Sequence, residues 1–236
     1  EQLRKEDLLY LQIGAECSKC YSYYTYQCDS LMASPNGDKQ WDSFLTEAIG
    51  KGLKGKQLHN AIPHRRMSAT IYKNYPQGKI TVTDFLLGQY YLYEDALNSQ
   101  EWNIESDSMK VVLGHECQKA TCSFRGRKWT AWFALDVPVS DGPLKFCGLP
   151  GLIMEVYDRG KQYYFCINGM QQVSATPITF GNLDKDFKHF QIINRKDFLL
   201  SKYKYLRNQN SINEASTGIS LGSVDEALKY DLIERE

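Results

Sequence analysis

The chain has 236 residues, 42% of them hydrophobic, which is enough to bury a substantial core as one all-β unit. Lys plus Arg and Asp plus Glu both number 28, and there is no basic run, so no field exists to hold a nucleic acid. The longest apolar runs, such as Gly151-Leu152-Ile153-Met154, fall far short of the roughly 18 residues of a membrane span.

The sequence opens at Glu1-Gln2 without an initiator Met, as expected of a mature chain whose export signal has been removed. An extended N-terminal region follows, in which Tyr21 to Tyr26 favours a strand. Asp38-Lys39-Gln40-Trp41 opens a short helix over 39 to 49 that Gly50 ends. Strands are then expected at Ala69 to Tyr75 and Lys79 to Leu87, around the hairpin signal Pro76-Gln77-Gly78, and at Gln89 to Glu94. Further strands are expected at Trp102 to Ile104, Lys110 to Leu113 and His115 to Phe124. After the turn Arg125-Gly126-Arg127, the segment Lys128 to Leu135 is apolar on both faces at period two, as in a strand covered on both sides.

Leu149-Pro150-Gly151-Leu152 has a type II turn signature, with Pro setting φ at its second position and Gly supplying a positive φ at its third. It feeds a hairpin of Leu152 to Tyr157 and Gln162 to Ile167 across Asp158-Arg159-Gly160. Gly148, Pro150 and Gly151 are therefore read as fold determinants, where the chain turns or passes a neighbour too closely for a Cβ. Asn194 caps an amphipathic helix over 195 to 207, and Ser223 to Tyr230 is at most a short terminal helix. The expected architecture is mainly β (α+β): a strongly curved antiparallel sheet of mainly 69 to 170 with two or three packed helices. One domain is expected over 1–236, its core at about 8–206 and a polar extension at 207–236.

Seven cysteines fall in two groups: Cys17, Cys20 and Cys28 near the start, and Cys117, Cys122, Cys147 and Cys166 among the strand-like segments. In an oxidising compartment the second group allows two disulfides in three connectivities, and the odd total leaves a thiol over. Structural disulfides or inert thiols are favoured over metal ligation, and over a redox role for Cys17-Ser18-Lys19-Cys20, which would need a βαβ setting. His115 and Cys117 lie two apart on a strand and share a face, so with Cys122 or Cys147 they are candidate zinc or copper ligands. A disulfide with a surface histidine is the simpler expectation. His59 and His64 are read as loop residues. Trp129 and Trp132 either stack on a ligand or fill the core, and Arg125 and Arg127 either bind an anion or form a solvated turn. Serine-hydrolase, zinc-protease and phosphate-loop motifs are missing. A hydrolase acting on peptide or glycan would need two carboxyl groups brought together in a cleft.

Three stretches together resemble the GLPGLI family: Gly114 to Ala120, Phe124 to Phe133, and Gly142-Pro143 through the intact hexapeptide Gly148-Leu149-Pro150-Gly151-Leu152-Ile153. Leu11 to Gly14 with Ser18-Lys19 resembles that family's opening. The resemblance covers about 8 to about 206 and implies a secreted or envelope protein of Bacteroidota without assigned biochemistry. It also implies a curved, bowl-like or half-barrel sheet, distantly similar to the domain appended to some bacterial peptide-N-glycanases. Cys20 stands where an aromatic residue is usual in the family, which suggests a disulfide peculiar to this chain. Export, to the periplasm, the outer-membrane surface or outside the cell, follows from cysteine usage and the resemblance. The expected function is a non-catalytic binding or accessory module, using the aromatic segments Tyr21 to Tyr26, Tyr90 to Tyr93 and Trp129 to Trp132. An outer-membrane transporter or other envelope protein is the expected partner. No cofactor is expected, a metal ion being possible, and copper or zinc handling is the alternative function.

Overall fold

The computed structural model describes residues 6–174, 177–178, 190–217 and 232–235. Among these, the N-terminal third forms β1 (Leu9–Ile13), β2 (Ser18–Ser22), α1 (Tyr23–Met32), α2 (Gly37–Gly50) and α3 (Gly55–Ala61). Then come β3 (Thr70–Lys73), β4 (Lys79–Leu86), β5 (Gln89–Ala96), β6 (Asn103–Val112), β7 (His115–Phe124), β8 (Arg127–Ala134), β9 (Leu152–Asp158) and β10 (Tyr164–Cys166). β11 (Gln191–Ile192) and α4 (Arg195–Thr217) follow.

The fold is mainly β, as expected, but the strands divide into two sheets. One has the order β1-β2-β3-β4-β5-β11 and the other β10-β9-β8-β7-β6. Every pairing is antiparallel except β11 with β5. The division combines a local turn with distant partners. After β5 the chain turns through Asn98 at φ 56°, and the next residues bond to a loop rather than to a ladder. Gln100 Nε2 donates to the Lys145 carbonyl at 3.1 Å, and Trp102 Nε1 donates to the Cys147 carbonyl at 2.8 Å.

Tyr23 onward is helical rather than extended. Ser22 ends β2 and its Oγ accepts the Thr25 N–H at 3.2 Å, an N-cap that starts α1 and turns Thr25 and Cys28 inward. α3 places His59 on a helix, while His64 lies in the following loop with Nδ1 3.0 Å from the Ile62 carbonyl. α4 continues ten residues past the expected end at 207. The helix expected at 223–230 lies outside the described residues. β6 is one strand where two were expected, its ladder shifted in register between Glu105 and Met109.

Two buried clusters meet between the sheets. Trp129, Ala131, Phe133, Phe146 and Ile153 belong to the second sheet's cluster, and Ile71, Ile80, Val82, Tyr93 and Phe198 to the first. Phe165 and Ile233 pack on both. The opposite face of β8 is also covered: Ala134 is buried with Cys117, Leu152 and Met154, and Trp132 packs there. That explains why β8 reads apolar on both sides.

The connection from β8 to β9 crosses toward the first sheet. Lys73, 2% exposed at the end of β3, places its ammonium on the Asp141 carboxylate and the Gly142 carbonyl, with the Phe146 carbonyl at 3.4 Å. The Leu144 N–H points at Cys20 Sγ, 3.3 Å away on β2. Gly148 takes the positive φ, +91°, that was assigned to Gly151. Gly151 has another task, since a Cβ there would lie 2.0 Å from the Ala134 carbonyl oxygen. The glycine permits backbone-to-backbone contact where β9 joins β8.

Gly151→Val should lower stability by about 1–3 kcal/mol or more, as overpacking does, read as a shifted denaturant midpoint. Lys73→Met strands Asp141 in a buried site and should cost about 3–5 kcal/mol. The paired Lys73→Met/Asp141→Leu chain should recover much of that loss in the same assay.

Candidate functional site

Between the two sheets lies a cavity of about 130 Å³. Its wall is apolar: Ile71 and Val82 from the first sheet, Trp129 from the second, Leu144 and Phe146 from the β8–β9 connection, and Phe198 from α4. Leu232, Ile233 and Glu234 also border it. Against this wall sits a cluster of charges that no sequence motif marks. Lys145 Nζ lies 2.7 Å from Asp95 Oδ2 and 2.5 Å from Glu234 Oε1. Arg195, opening α4, approaches Asp95 Oδ1 at 3.4 Å and Glu234 Oε2 at 3.1 Å. Arg125, in the β7–β8 turn at φ 51°, donates to Asp95 Oδ1 at 2.9 Å.

These side chains are nearly all buried, Lys145, Arg195, Asp95 and Glu234 each exposing less than a tenth of their surface. Among the described residues, three cations thus meet at two carboxylates in a site largely removed from water. The Arg125 Nε is buried without a hydrogen-bond acceptor and stands 3.7 Å from Glu234 Oε2. Lys145 also donates to the Tyr93 hydroxyl at 3.2 Å and lies 4.7 Å from the ring centroid. Burial, with Glu234 and Asp84 nearby, holds the Tyr93 phenol well above its usual range, so this hydroxyl stays neutral. A second ion pair, Lys202 on α4 with buried Asp84, stands 2.5 Å apart at the same cavity.

The arrangement sets cationic N–H groups beside an apolar wall. It offers little for acid–base chemistry, because each of the four oxygens of Asp95 and Glu234 already has a cation within 3.4 Å. The two carboxyl groups that a hydrolase would need are near one another, but neither presents a free oxygen to a substrate.

Of the residues singled out in the sequence, Arg125 and Trp129 border this cavity. Trp129 is core, its Nε1 bonded to the Phe124 carbonyl at 3.0 Å and its ring edge-on to Phe146. Trp132, three residues on, faces the other way under Lys110, whose Nζ is 4.8 Å from the ring centroid. Arg125 and Arg127 do not form a solvated turn. The Arg127 side chain is 2% exposed and bonds Asp158 at 2.8 Å, Gln162 at 2.8 Å and the carbonyls of Leu232 and Ile233 at 2.8 and 2.9 Å. Of the Tyr-rich segments, Tyr91 and Tyr93 pack on Phe198, and Tyr23 stacks on Tyr10 at 4.7 Å. Lys145, Asp95, Arg195 and Glu234 were missed. The available signal was a lysine directly before the apolar Phe146-Cys147, but nothing local marks its partners.

The candidate metal ligands are not assembled. His115 Nδ1 is 2.7 Å from Asp136, and Cys117 and Cys122, five apart on β7, belong to clusters on opposite faces. Cys147 lies instead beside Asn98 and Gln100. Among the described residues no group of three or more His, Cys, Asp or Glu is placed to hold a metal ion. The seven cysteines are unpaired in the structure, with no two of them at disulfide distance. Cys20 lies on a strand with burial pushing its thiol up, unlike the helix-start thiolate of a redox pair. No described helix is long and apolar enough to cross a membrane.

A family described as "Protein of unknown function (Porph_ging)" matches residues 123–155, a stretch running from the end of β7 through the cavity-lining connection and the hexapeptide at 148–153 into β9. No curated protein matches the chain. Two solved structures of PNGF-II, in C2 and P21 crystal forms, are similar with TM-scores of 0.48 at 12% and 11% identity. They align over 85% and 86% of this chain, which spans 30% of the length of each.

Burial pushes the thiols of Cys20, Cys28, Cys117 and Cys147 up, and that of Cys122 to about 12. A thiol raised in the folded state contributes stability that is present below its unfolded value of about 9 and lost as pH rises toward the folded value. The melting temperature should therefore fall above about pH 9, and less steeply in Cys122→Ala. Dithiobis(nitrobenzoate) should titrate the exposed Cys166 in the native protein and all seven thiols in denaturant.

Proposed function

We propose that the protein is a non-catalytic binding module whose ligand site is the cavity between the sheets, and that the ligand carries a carboxylate beside an apolar group. The observation that carries this reading is the Arg125 Nε–H, buried at the cavity without an acceptor beside the Lys145 ammonium, while Asp95 and Glu234 are already shared among several cations. A buried donor left unmet is costly, so the Arg125 N–H beside an apolar wall favours an incoming anion. In this reading the two sheets are halves of one strongly curved, bowl-like arrangement and the cavity is its concave side. The intact hexapeptide and its role in closing β9 on β8 support placing the chain with the GLPGLI family. Export to the envelope and an envelope-protein partner, such as an outer-membrane transporter, belong to the same reading. Copper or zinc handling has no assembled donor set behind it among the described residues.

Calorimetric titration of the full chain tests this with acidic peptides, uronic-acid oligosaccharides, neutral glycans and Cu(II) or Zn(II). Carboxylate ligands should bind, more weakly as salt rises. Arg125→Met should weaken them roughly ten- to hundredfold, the worth of one charge-assisted hydrogen bond of about 1.5–3 kcal/mol. Binding of neutral glycans or metal ions alone, or turnover of a peptide or glycan, would overturn the reading.

A further inference from the structure

The segment Leu232–Arg235 is neither helix nor strand, yet each of its four residues is held in the cleft. Arg127 donates to its first two carbonyls, and its Arg235 N–H donates to the Arg125 carbonyl at 3.1 Å. Ile233 packs on both intersheet clusters. Glu234 lies between Lys145 and Arg195, and Arg235 Nη2 reaches Gln162 at 3.2 Å. The recognition uses main-chain groups, one apolar side chain and one carboxylate, the same elements by which extended peptides are bound in trans.

We infer that Leu232–Arg235 is an internal ligand, and that the cleft takes from a partner protein an extended peptide in which a large apolar residue precedes an acidic one. This rests on the reading of the cavity as a carboxylate site. Charge requires an occupant of that kind. Without Glu234, Arg125 and Lys145 would share the single Asp95 carboxylate, which leaves a positive charge unbalanced against an apolar wall. Whichever chain supplies the carboxylate, the site needs one.

The internal occupant is also an imperfect fit, which leaves a competitor something to gain. Arg125 Nε remains 3.7 Å from Glu234 Oε2, beyond hydrogen-bond distance. Free space of about 130 Å³ persists beside Ile233, bounded by Ile71, Val82, Leu144 and Phe198. A Phe in place of Ile would fill more of it, and a carboxylate not tied to this backbone can close on Arg125. The preferred partner peptide therefore carries an aromatic residue followed by Glu.

The test uses the full chain, wild type and Glu234→Gln, with fluorescein-labelled acetyl-Leu-Ile-Glu-Arg-amide read by anisotropy. Glu234→Gln should bind the peptide at least tenfold more tightly than wild type, because its own segment no longer competes with a carboxylate. A peptide with Gln for Glu should bind at least tenfold more weakly, and one with Phe for Ile more tightly. Ile233→Ala, which keeps the charge, should shift affinity in the same direction as Glu234→Gln. Equal affinity of wild type and both folded variants, with acidic ligands still bound by the wild type, overturns the internal-ligand inference and leaves the carboxylate site standing. Absence of binding by any carboxylate ligand overturns both. Loss of the folded far-ultraviolet spectrum in both variants shows the segment to be structural, which also overturns the inference.

Discussion

The ammonium of Lys73 is the tie on which the rest of the structure depends. β3 ends with a charged residue pointing into the space between the sheets, and that charge is tolerable only because the β8–β9 connection wraps it with the Asp141 carboxylate and the carbonyls of Gly142 and Phe146. Reciprocally, the connection has little regular structure, and its polar groups would be unpaired in a buried site without such partners. The interaction sets where residues 141–147 run. That path brings Leu144 to Cys20, Phe146 to Trp129 and Lys145 to Asp95. Cavity wall and cavity charge are thus consequences of one buried pair.

Much of the fold is written locally. β7 has the expected ends, β4 and β9 end one residue from theirs, and α2 is bounded close to its acidic start and terminal glycine. These elements are legible because period-two patterning and turn residues act over a few positions. The failures have physical causes as well. Tyr21 to Tyr26 is aromatic enough for a strand, but Ser22 offers a cap that costs less than leaving helix amides bare, and Tyr10 covers Tyr23. β11 has two residues and is held by β5 rather than by its own pattern. The separation into two sheets depends on Gln100 and Trp102 finding acceptors some 45 residues away, which no window of sequence contains.

The candidate site was less legible than the fold for the same reason. Asp95, Arg125, Lys145, Arg195 and Glu234 come from a strand end, a turn, a connection, a helix start and the segment 232–235. None has a chemical neighbour nearby in sequence to betray it, and Arg125 beside Gly126 reads as a hairpin corner. The residues that did draw attention, His115 with Cys117 and Trp129 with Trp132, obey strand geometry instead. An interval of two shares a face, but Cys117 turns into a cluster while His115 turns to Asp136 at its rim. An interval of three sends the two indoles to opposite sides of β8, and the aromatic pair becomes two unrelated packing residues.

The register shift in β6 bears on how the molecule behaves among its own copies. β6 is the outer strand of the second sheet and exposes Ile104, Met109 and Val111, an apolar row of the kind that invites another strand to add. The shift between Glu105 and Met109 interrupts its ladder midway. An approaching strand would meet a bend carrying Glu105 and Asp107 where it needs a straight line of amides and carbonyls. Residues 106–108 therefore break the straight edge that lateral, edge-to-edge strand addition needs, at the expense of continuous pairing with β7.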